Sequence, residues 1–332
     1  MVLEAIYVCR HGFRLSWETQ TWASPTGIPR DPPLSAHGVD QAKELAAFLK
    51  RELGIEREGQ AREEGVVVLS SPLYRCVQTA TPTAGALGVP IFIEPGLAEW
   101  YLPVRRGLHP ALASPSFLKD HFPLVDDSPA SSSISSSLTP YSPWTPLLTP
   151  PRVGESMRAL HARALCFSQL LTAALSARGV KKVIVFSHAA TKLGLCRALA
   201  GDLDDPSVLR VPGKEGGKEP EPGEVEELGL WRDEERLVVG AATCACSKFV
   251  WDGEESAQGK VRWRREWDGR TDFLKRGEER RWDFSFVEEI AEDGIDDSTG
   301  LEISATKSDA YKDLPTAAPK ETRQSERVEG KL

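Results

Sequence analysis

The chain has 332 residues, of which 40% are hydrophobic and 27% are charged, a balance typical of a globular protein. Its 41 basic and 49 acidic residues give a formal net charge of −8, which argues against a domain that grips the backbone of a nucleic acid. No apolar run approaches the roughly 18 residues of a membrane span. We therefore expect a cytoplasmic or nuclear protein with no direct nucleic-acid partner and no membrane partner.

Short apolar runs alternate with helical patterns over residues 5–200. After Gly38, for example, apolar residues such as Ala42, Leu45 and Leu49 recur at the spacing of an amphipathic helix. Strands that alternate with such helices imply a mostly parallel central sheet covered on both faces, which is a three-layer α/β/α sandwich. The predicted strands are 5–9, 66–69, 91–93 and 181–186, and the predicted helices are one from Gly38 and those over 75–87, 155–175 and 191–200.

Four other segments lack this alternation. Residues 110–151 are rich in proline and serine, with seven serines between Ser128 and Pro140, and predict a surface insertion that is mobile in its serine-rich part. Residues 213–227 predict an acidic loop, while 243–251 and 260–267 alternate as a β-hairpin does. Beyond residue 285 the chain is acidic and then of mixed charge. We expect one domain over 1–285 and a disordered tail over 286–332.

Charged and polar residues follow each predicted strand. In open sheets of this kind the active site lies beyond the carboxyl ends of the strands, so side chains that follow different strands meet at one edge. Two histidines, three arginines and one carboxylate are expected to converge there. They are Arg10, His11 and Arg14 after the first strand, Arg75 after the second, Glu99 after the third and His188 after the fourth.

This combination of side chains suits phosphoryl transfer. Guanidinium groups match phosphoryl oxygens bidentately. The same cations disfavour protonation of a neighbouring imidazole, which stays neutral and nucleophilic at pH 7. A carboxylic acid can protonate the leaving oxygen. The residues therefore predict a site that forms a phosphohistidine.

The motifs resemble those of a known family. Residues 7–12 (YVCRHG) resemble the RHG signature of the histidine phosphatase superfamily, which includes the phosphoglycerate mutases, and residues 71–75 (SPLYR) with 78–80 (QTA) resemble its second motif. Glu99 stands at the acid position and Ser187-His188 at the second histidine. The resemblance covers about residues 3–200 and implies a phosphoglycerate mutase-like fold.

The resemblance also implies a role for each matched residue. His11 would be the nucleophile and Glu99 the proton donor, while Arg10, Arg75 and His188 would hold the phosphoryl oxygens. The resemblance implies no metal and no organic cofactor. It predicts a metal-independent phosphatase that hydrolyses phosphomonoesters, either small molecules or phosphopeptides, through a covalent phosphohistidine on His11.

The residues after the RHG signature indicate a branch of the superfamily. Sugar-phosphate mutases usually carry Glu-Ser there, whereas this chain has Phe13-Arg14. The additional Arg14, expected to bind phosphate, and residues 94–100 (EPGLAEW) resemble the eukaryotic branch that includes the UBA/SH3-domain tyrosine phosphatases. Residues 10–17, 31–41 and 71–76 resemble fungal members that serve as subunits of the RNA polymerase III transcription factor TFIIIC. An interaction subunit of TFIIIC with weak or no activity is therefore the alternative to an enzyme.

Two assignments stay open from the sequence. Glu94 follows the same strand as Glu99 and competes with it for the acid position, although we favour Glu99. Arg14 would serve nearly as well in a surface salt bridge as in a phosphate site.

Overall fold

The computed structural model describes residues 3–104, 106–129, 138–201, 239–255 and 261–284. The predicted acidic loop at 213–227 and the predicted tail at 286–332 lie outside these residues. None of the described helices combines the length and the apolar character that a membrane crossing requires.

A six-stranded sheet forms the centre of the protein, in the order β3-β2-β4-β1-β5-β6. The first four strands along the chain are parallel to one another, and β5 runs antiparallel to both β1 and β6. The mostly parallel sheet and the hairpin predicted from the sequence are therefore confirmed. The strands are β1 (Ala5–Arg10), β2 (Val66–Ser70), β3 (Ile91–Ile93), β4 (Lys182–Ser187), β5 (Cys246–Glu255) and β6 (Val261–Arg270).

Helices cover both faces of the sheet. Successive side chains of β1 enter different clusters of the core, with Ile6 and Val8 in one and Tyr7 in the other, because strand side chains alternate between faces. The first cluster contains residues of α5 and α6, and the second contains residues of α1 and α3. The predicted α/β/α sandwich is confirmed. The helices are α1 (Ala36–Glu52), α2 (Gln60–Glu63), α3 (Tyr74–Leu87), α4 (Pro115–His121), α5 (Met157–Ala177) and α6 (Ala189–Ala200).

Helix α3 begins without a capping side chain of its own. The carboxylate of Asp31, from the loop before α1, accepts hydrogen bonds from the backbone N–H of Tyr74 at 2.9 and 3.0 Å. A carboxylate at a helix N-terminus satisfies unpaired donors and interacts favourably with the helix dipole. Asp31 thereby ties the loop before α1 to the first turn of α3, which carries Arg75.

The predicted surface insertion over 110–151 is corrected in part. Leu118, Phe122, Val125 and Trp144 are all buried in the core, and Val125 forms a parallel bridge to Ile91 of β3. Leu118 and Phe122 have the spacing of a helix, in and just after α4, but this period is too short to stand out among the surrounding prolines and serines. The serine-rich residues 130–137 lie outside the described part of the chain.

Candidate active site

The register of the sheet places the two site histidines beside each other. Arg10 of β1 is paired with Ser187 of β4, so the next residues, His11 and His188, leave the sheet at the same edge. The backbone N–H of His11 donates to the carbonyl of Ser187 at 3.0 Å. The two imidazole rings lie with their centroids 5.4 Å apart.

His11 is held as a neutral imidazole with one nitrogen protonated. Its Nδ1 lies 2.8 Å from the carbonyl oxygen of Gly12. Because a carbonyl only accepts hydrogen bonds, Nδ1 carries the proton and Nε2 keeps its lone pair. Burial, together with the guanidinium groups of Arg75 and Arg10, holds the pKa of His11 well below its usual range. Such an imidazole is a nucleophile at neutral pH.

Arg10 is fully buried beside His11. Its guanidinium donates to two backbone carbonyls, that of Ala241 at 2.5 Å and that of Arg280 at 2.6 Å. Burial lowers the pKa of Arg10 to about 10, which leaves the group charged at neutral pH. Both carbonyls belong to chain far beyond β1, and the sequence patterns do not predict these contacts.

Arg75 joins the other site residues. One of its terminal nitrogens lies 3.1 Å from Nδ1 of His188 and 3.6 Å from Oε2 of Glu99, and the other lies 3.4 Å from Oδ1 of Asp31. Because a guanidinium only donates, Nδ1 of His188 accepts and its Nε2 carries the proton. That Nε2 lies 2.8 Å from the hydroxyl oxygen of Ser71. Burial and the charge of Arg75 hold the pKa of His188 well below its usual range.

Glu99 is positioned by the backbone that precedes it. The hydroxyl of Ser187 donates to the carbonyl of Leu97, and the hydroxyl of Thr191 donates to the carbonyl of Ala98, both at 2.7 Å. These bonds attach the segment after β3 to the ends of β4 and α6. They bring the side chain of Glu99 to the edge that carries both histidines.

The Glu99 carboxyl lies in the site and is partly exposed. Its Oε2 is 3.4 Å from Nδ1 of His188, and its side chain is 12% exposed. Burial raises the pKa of Glu99, and the charge of Arg75 opposes this shift. A carboxyl with a raised pKa is protonated over a wider pH range, as a proton donor requires.

Glu94, the competing carboxylate, serves a different purpose. Its Oε2 accepts hydrogen bonds from Nε1 of Trp144 and from the backbone N–H of Leu147, each at 2.9 Å, while Oε1 accepts from the N–H of Gly96 at 2.8 Å. Glu94 is fully buried. It holds the segment after the serine-rich residues against the core, so Glu99 is the carboxylate at the site.

Arg14 is buried, with 5% of its surface exposed. Its guanidinium carbon lies 4.2 Å from the centroid of the Trp17 ring, and that ring lies 6.1 Å from the ring of His11. The charge of Arg14 also contributes to the lowered pKa of His11. The structure therefore brings together all six predicted residues: Arg10, His11, Arg14, Arg75, Glu99 and His188.

The donor atoms of His11, Glu99 and His188 lie within 4.8 Å of one another, so this set has the chemistry and spacing of metal ligands. The charges of Arg10 and Arg75 act directly on these groups. Guanidinium charges at this distance repel a metal cation and attract an anion. The electrostatics of the site therefore favour an anion over a metal cation.

Several polar residues that support the site were missed as functional residues. Asp31 holds Arg75, and Oγ1 of Thr79 accepts the backbone N–H of Gly12 at 3.1 Å. Both residues lie inside segments whose resemblance to the family is visible in the sequence. Their contacts span more than forty residues, so the sequence marks their presence but not their partners.

Comparison with known proteins agrees with this geometry. Residues 6–121 match the family model described as the histidine phosphatase superfamily, branch 1. The fold, the paired histidines and the arginines are those that the sequence motifs predict for this class of protein. Over residues 6–121 the chain is therefore similar to the histidine phosphatase superfamily.

Two named proteins are similar to this chain in sequence. The chain is 30% identical over 312 residues to the transcription factor tau 55 kDa subunit of Saccharomyces cerevisiae. The aligned region covers 88% of this chain and 61% of that protein. The chain is also 30% identical over 126 residues to the ecdysteroid-phosphate phosphatase of Drosophila melanogaster, covering 29% of this chain and 15% of that protein. The chain thus spans about three fifths of the length of the yeast subunit.

A solved structure shares the fold. The ecdysone phosphate phosphatase of Bombix mori, determined with tungstate, superposes with a TM-score of 0.52 at 18% identity. The match covers 86% of this chain and 99% of that chain. The predicted phosphoglycerate mutase-like fold is confirmed.

Proposed function

We propose that the protein hydrolyses phosphomonoesters through a covalent phosphohistidine on His11, without a metal or an organic cofactor. The observation that carries the proposal is the state of His11, which is neutral, protonated on Nδ1 and surrounded by buried guanidinium groups. An unprotonated Nε2 among cations suits attack on a phosphoryl group whose negative charge the cations stabilise.

The reaction has two steps. In the first, the lone pair of His11 Nε2 forms a bond to phosphorus, the bond from phosphorus to the leaving oxygen breaks, and Glu99 gives its proton to that oxygen. In the second, the Glu99 carboxylate takes a proton from water, the water oxygen bonds to phosphorus, and the N–P electron pair returns to Nε2. Arg10, Arg14 and Arg75 stabilise the phosphoryl oxygens throughout, and His188 lies beside them, held between Arg75 and Ser71. The substrates are phosphorylated small molecules or phosphopeptides.

The proposal is tested with para-nitrophenyl phosphate in the presence of EDTA. We expect turnover by the wild-type protein and loss of turnover in His11→Ala, because no other group in the site replaces the nucleophile. His121→Ala is the matched control, since His121 is exposed on α4 and contacts Tyr74 and Phe117. A folded wild-type protein without turnover, or an active His11→Ala variant, would contradict the proposal.

We also propose a second function, that of a subunit of the RNA polymerase III factor TFIIIC in the nucleus. The supporting observation is the 30% identity to the tau 55 kDa subunit over 88% of this chain. The two functions are compatible, because a subunit can keep an intact catalytic site. Affinity purification from a nuclear extract tests the assembly. Recovery of other TFIIIC subunits is expected, and their absence would reject it.

A further inference from the structure

The nucleophile is connected to a distant carboxylate by an unbroken series of hydrogen bonds. The series starts at Nδ1 of His11, which donates to the carbonyl of Gly12 at 2.8 Å. The N–H of Phe13 belongs to the same peptide group and donates to Oε1 of Gln41 at 2.9 Å. The orientation of this one peptide group therefore decides whether His11 finds an acceptor at Nδ1.

Gln41 continues the series. This side chain is almost fully buried in α1, with 1% of its surface exposed. Its Nε2 donates to Oε2 of Glu279 at 2.7 Å and to the hydroxyl oxygen of Thr243 at 3.1 Å. Since a carboxylate only accepts hydrogen bonds, Glu279 selects the amide orientation in which Oε1 faces Phe13.

Glu279 is itself fixed by two further contacts. Its Oε2 lies 2.5 Å from Nε2 of His37, and its backbone carbonyl accepts the N–H of Thr243 at 3.0 Å. The next residue, Arg280, supplies the carbonyl that binds Arg10. Residue 279 therefore contacts α1 through His37 and Gln41, and residue 280 contacts Arg10, which directly precedes the nucleophile. Both residues belong to a part of the chain beyond the match to the family model.

Such a series affects the chemistry of the imidazole as well as its position. Hydrogen bonds linked head to tail in a buried region polarise one another, and a charged acceptor forms a stronger bond than a neutral one. The negative charge of Glu279 thus attracts the proton of each N–H donor in the series towards its acceptor. The Nδ1 proton of His11 is held in place, and electron density is left on Nε2.

We propose that Glu279 is a positioning residue for the phosphohistidine reaction, acting through Gln41 and the Gly12–Phe13 peptide to fix the protonation of His11 on Nδ1. The inference rests on the proposed function, because it concerns the nucleophile of that reaction. It differs from a purely structural role in making a specific claim about which ring nitrogen carries the proton.

Three variants and one control test this role. Glu279→Gln removes the charge with little change in shape, and Glu279→Ala removes the acceptor as well. We expect kcat for para-nitrophenyl phosphate to fall about 10-fold in Glu279→Gln with KM nearly unchanged, by analogy with residues that orient metal-bound histidines. Glu279→Asp should recover part of the loss. Glu278→Gln, an exposed neighbour, should match the wild type.

Nitrogen-15 NMR of the His11 ring gives a readout that does not depend on turnover. The wild type should show a single Nδ1-protonated tautomer, and Glu279→Gln should show a mixture of both tautomers. An unchanged tautomer in Glu279→Gln overturns the inference, even if kcat or the melting temperature falls. If the wild type lacks turnover but Glu279→Gln still changes the tautomer, the proposed function fails and the positioning role stands.

Discussion

The two site histidines differ in what fixes their protons. A backbone carbonyl accepts the Nδ1 proton of His11, whereas Arg75 donates to Nδ1 of His188 and places the proton of that ring on Nε2. Both rings have lowered pKa values for the same reason, burial beside guanidinium groups. Identical side chains thus present opposite nitrogens, and only His11 keeps an unprotonated Nε2 for attack.

The pH dependence of activity follows from His11 and Glu99. His11 acts when unprotonated, and its pKa lies well below 6.5, so activity should fall only as the pH drops through that lowered value. Glu99 acts when protonated, and its pKa lies above 4.5, so activity should fall as the pH rises through that raised value. With an alkyl phosphate as substrate, we expect a bell-shaped profile of kcat/KM whose alkaline limb disappears in Glu99→Gln.

The leaving group separates this acid role from a role in binding. An alkyl phosphate needs protonation of its leaving oxygen, so Glu99→Gln should lower its kcat/KM, which covers the first step only, by about 10²–10⁴. Para-nitrophenolate leaves without a proton, so its release should be affected far less. Glu18→Gln, at an exposed position, is the control. Equal losses of kcat/KM with both substrates would show that Glu99 is not the proton donor of the first step.

At this scale the sequence predicts residue types better than residue contacts. The six predicted side chains lie at one sheet edge because each ends a parallel strand or lies in the short segment that follows one. Asp31, Gln41 and Glu279 were not assigned roles, since each acts by holding another residue. Glu279 in particular is 238 positions from Gln41, a separation that no local pattern spans.

Among the elements, the part of the predicted insertion that contacts Glu94 differs most from the sequence-based prediction. A serine- and proline-rich composition predicts a surface loop, but Trp144 lies against Phe92 with ring centroids 6.1 Å apart. One buried carboxylate makes this possible, because it satisfies backbone N–H groups that would otherwise be buried without partners. The strands and main helices were predicted within a few residues because their apolar periods are regular.

The Glu94 carboxylate should be measurable as a stabilising contact. Glu94→Gln replaces one acceptor oxygen with an N–H₂ group that faces donors such as Nε1 of Trp144 and the N–H of Leu147. We expect a decrease of about 1–3 kcal/mol in the free energy of unfolding, measured by urea denaturation. Glu58→Gln, at an exposed site, should leave stability unchanged. A Glu94→Gln variant as stable as the wild type would contradict this role.

At the scale of the whole molecule, the site is built from segments that lie far apart in the sequence. The family match ends at residue 121, yet His188 directly follows β4, and the carbonyls that hold Arg10 come from Ala241 and Arg280. The β5–β6 hairpin extends the sheet from β1 and leads the chain back to the site. The three-layer fold was predictable from alternating strands and helices, whereas this return of the chain was not.

The central claim is that His11 carries the phosphoryl group, and direct trapping tests it best. The protein is mixed rapidly with para-nitrophenyl phosphate and quenched in alkali, which avoids the acid that cleaves phosphohistidine, and its peptides are mapped by mass spectrometry. We predict one phosphoryl group on His11, absent from His11→Ala. Turnover that leaves His11 unmodified, or a phosphoryl group on another residue, would contradict the account.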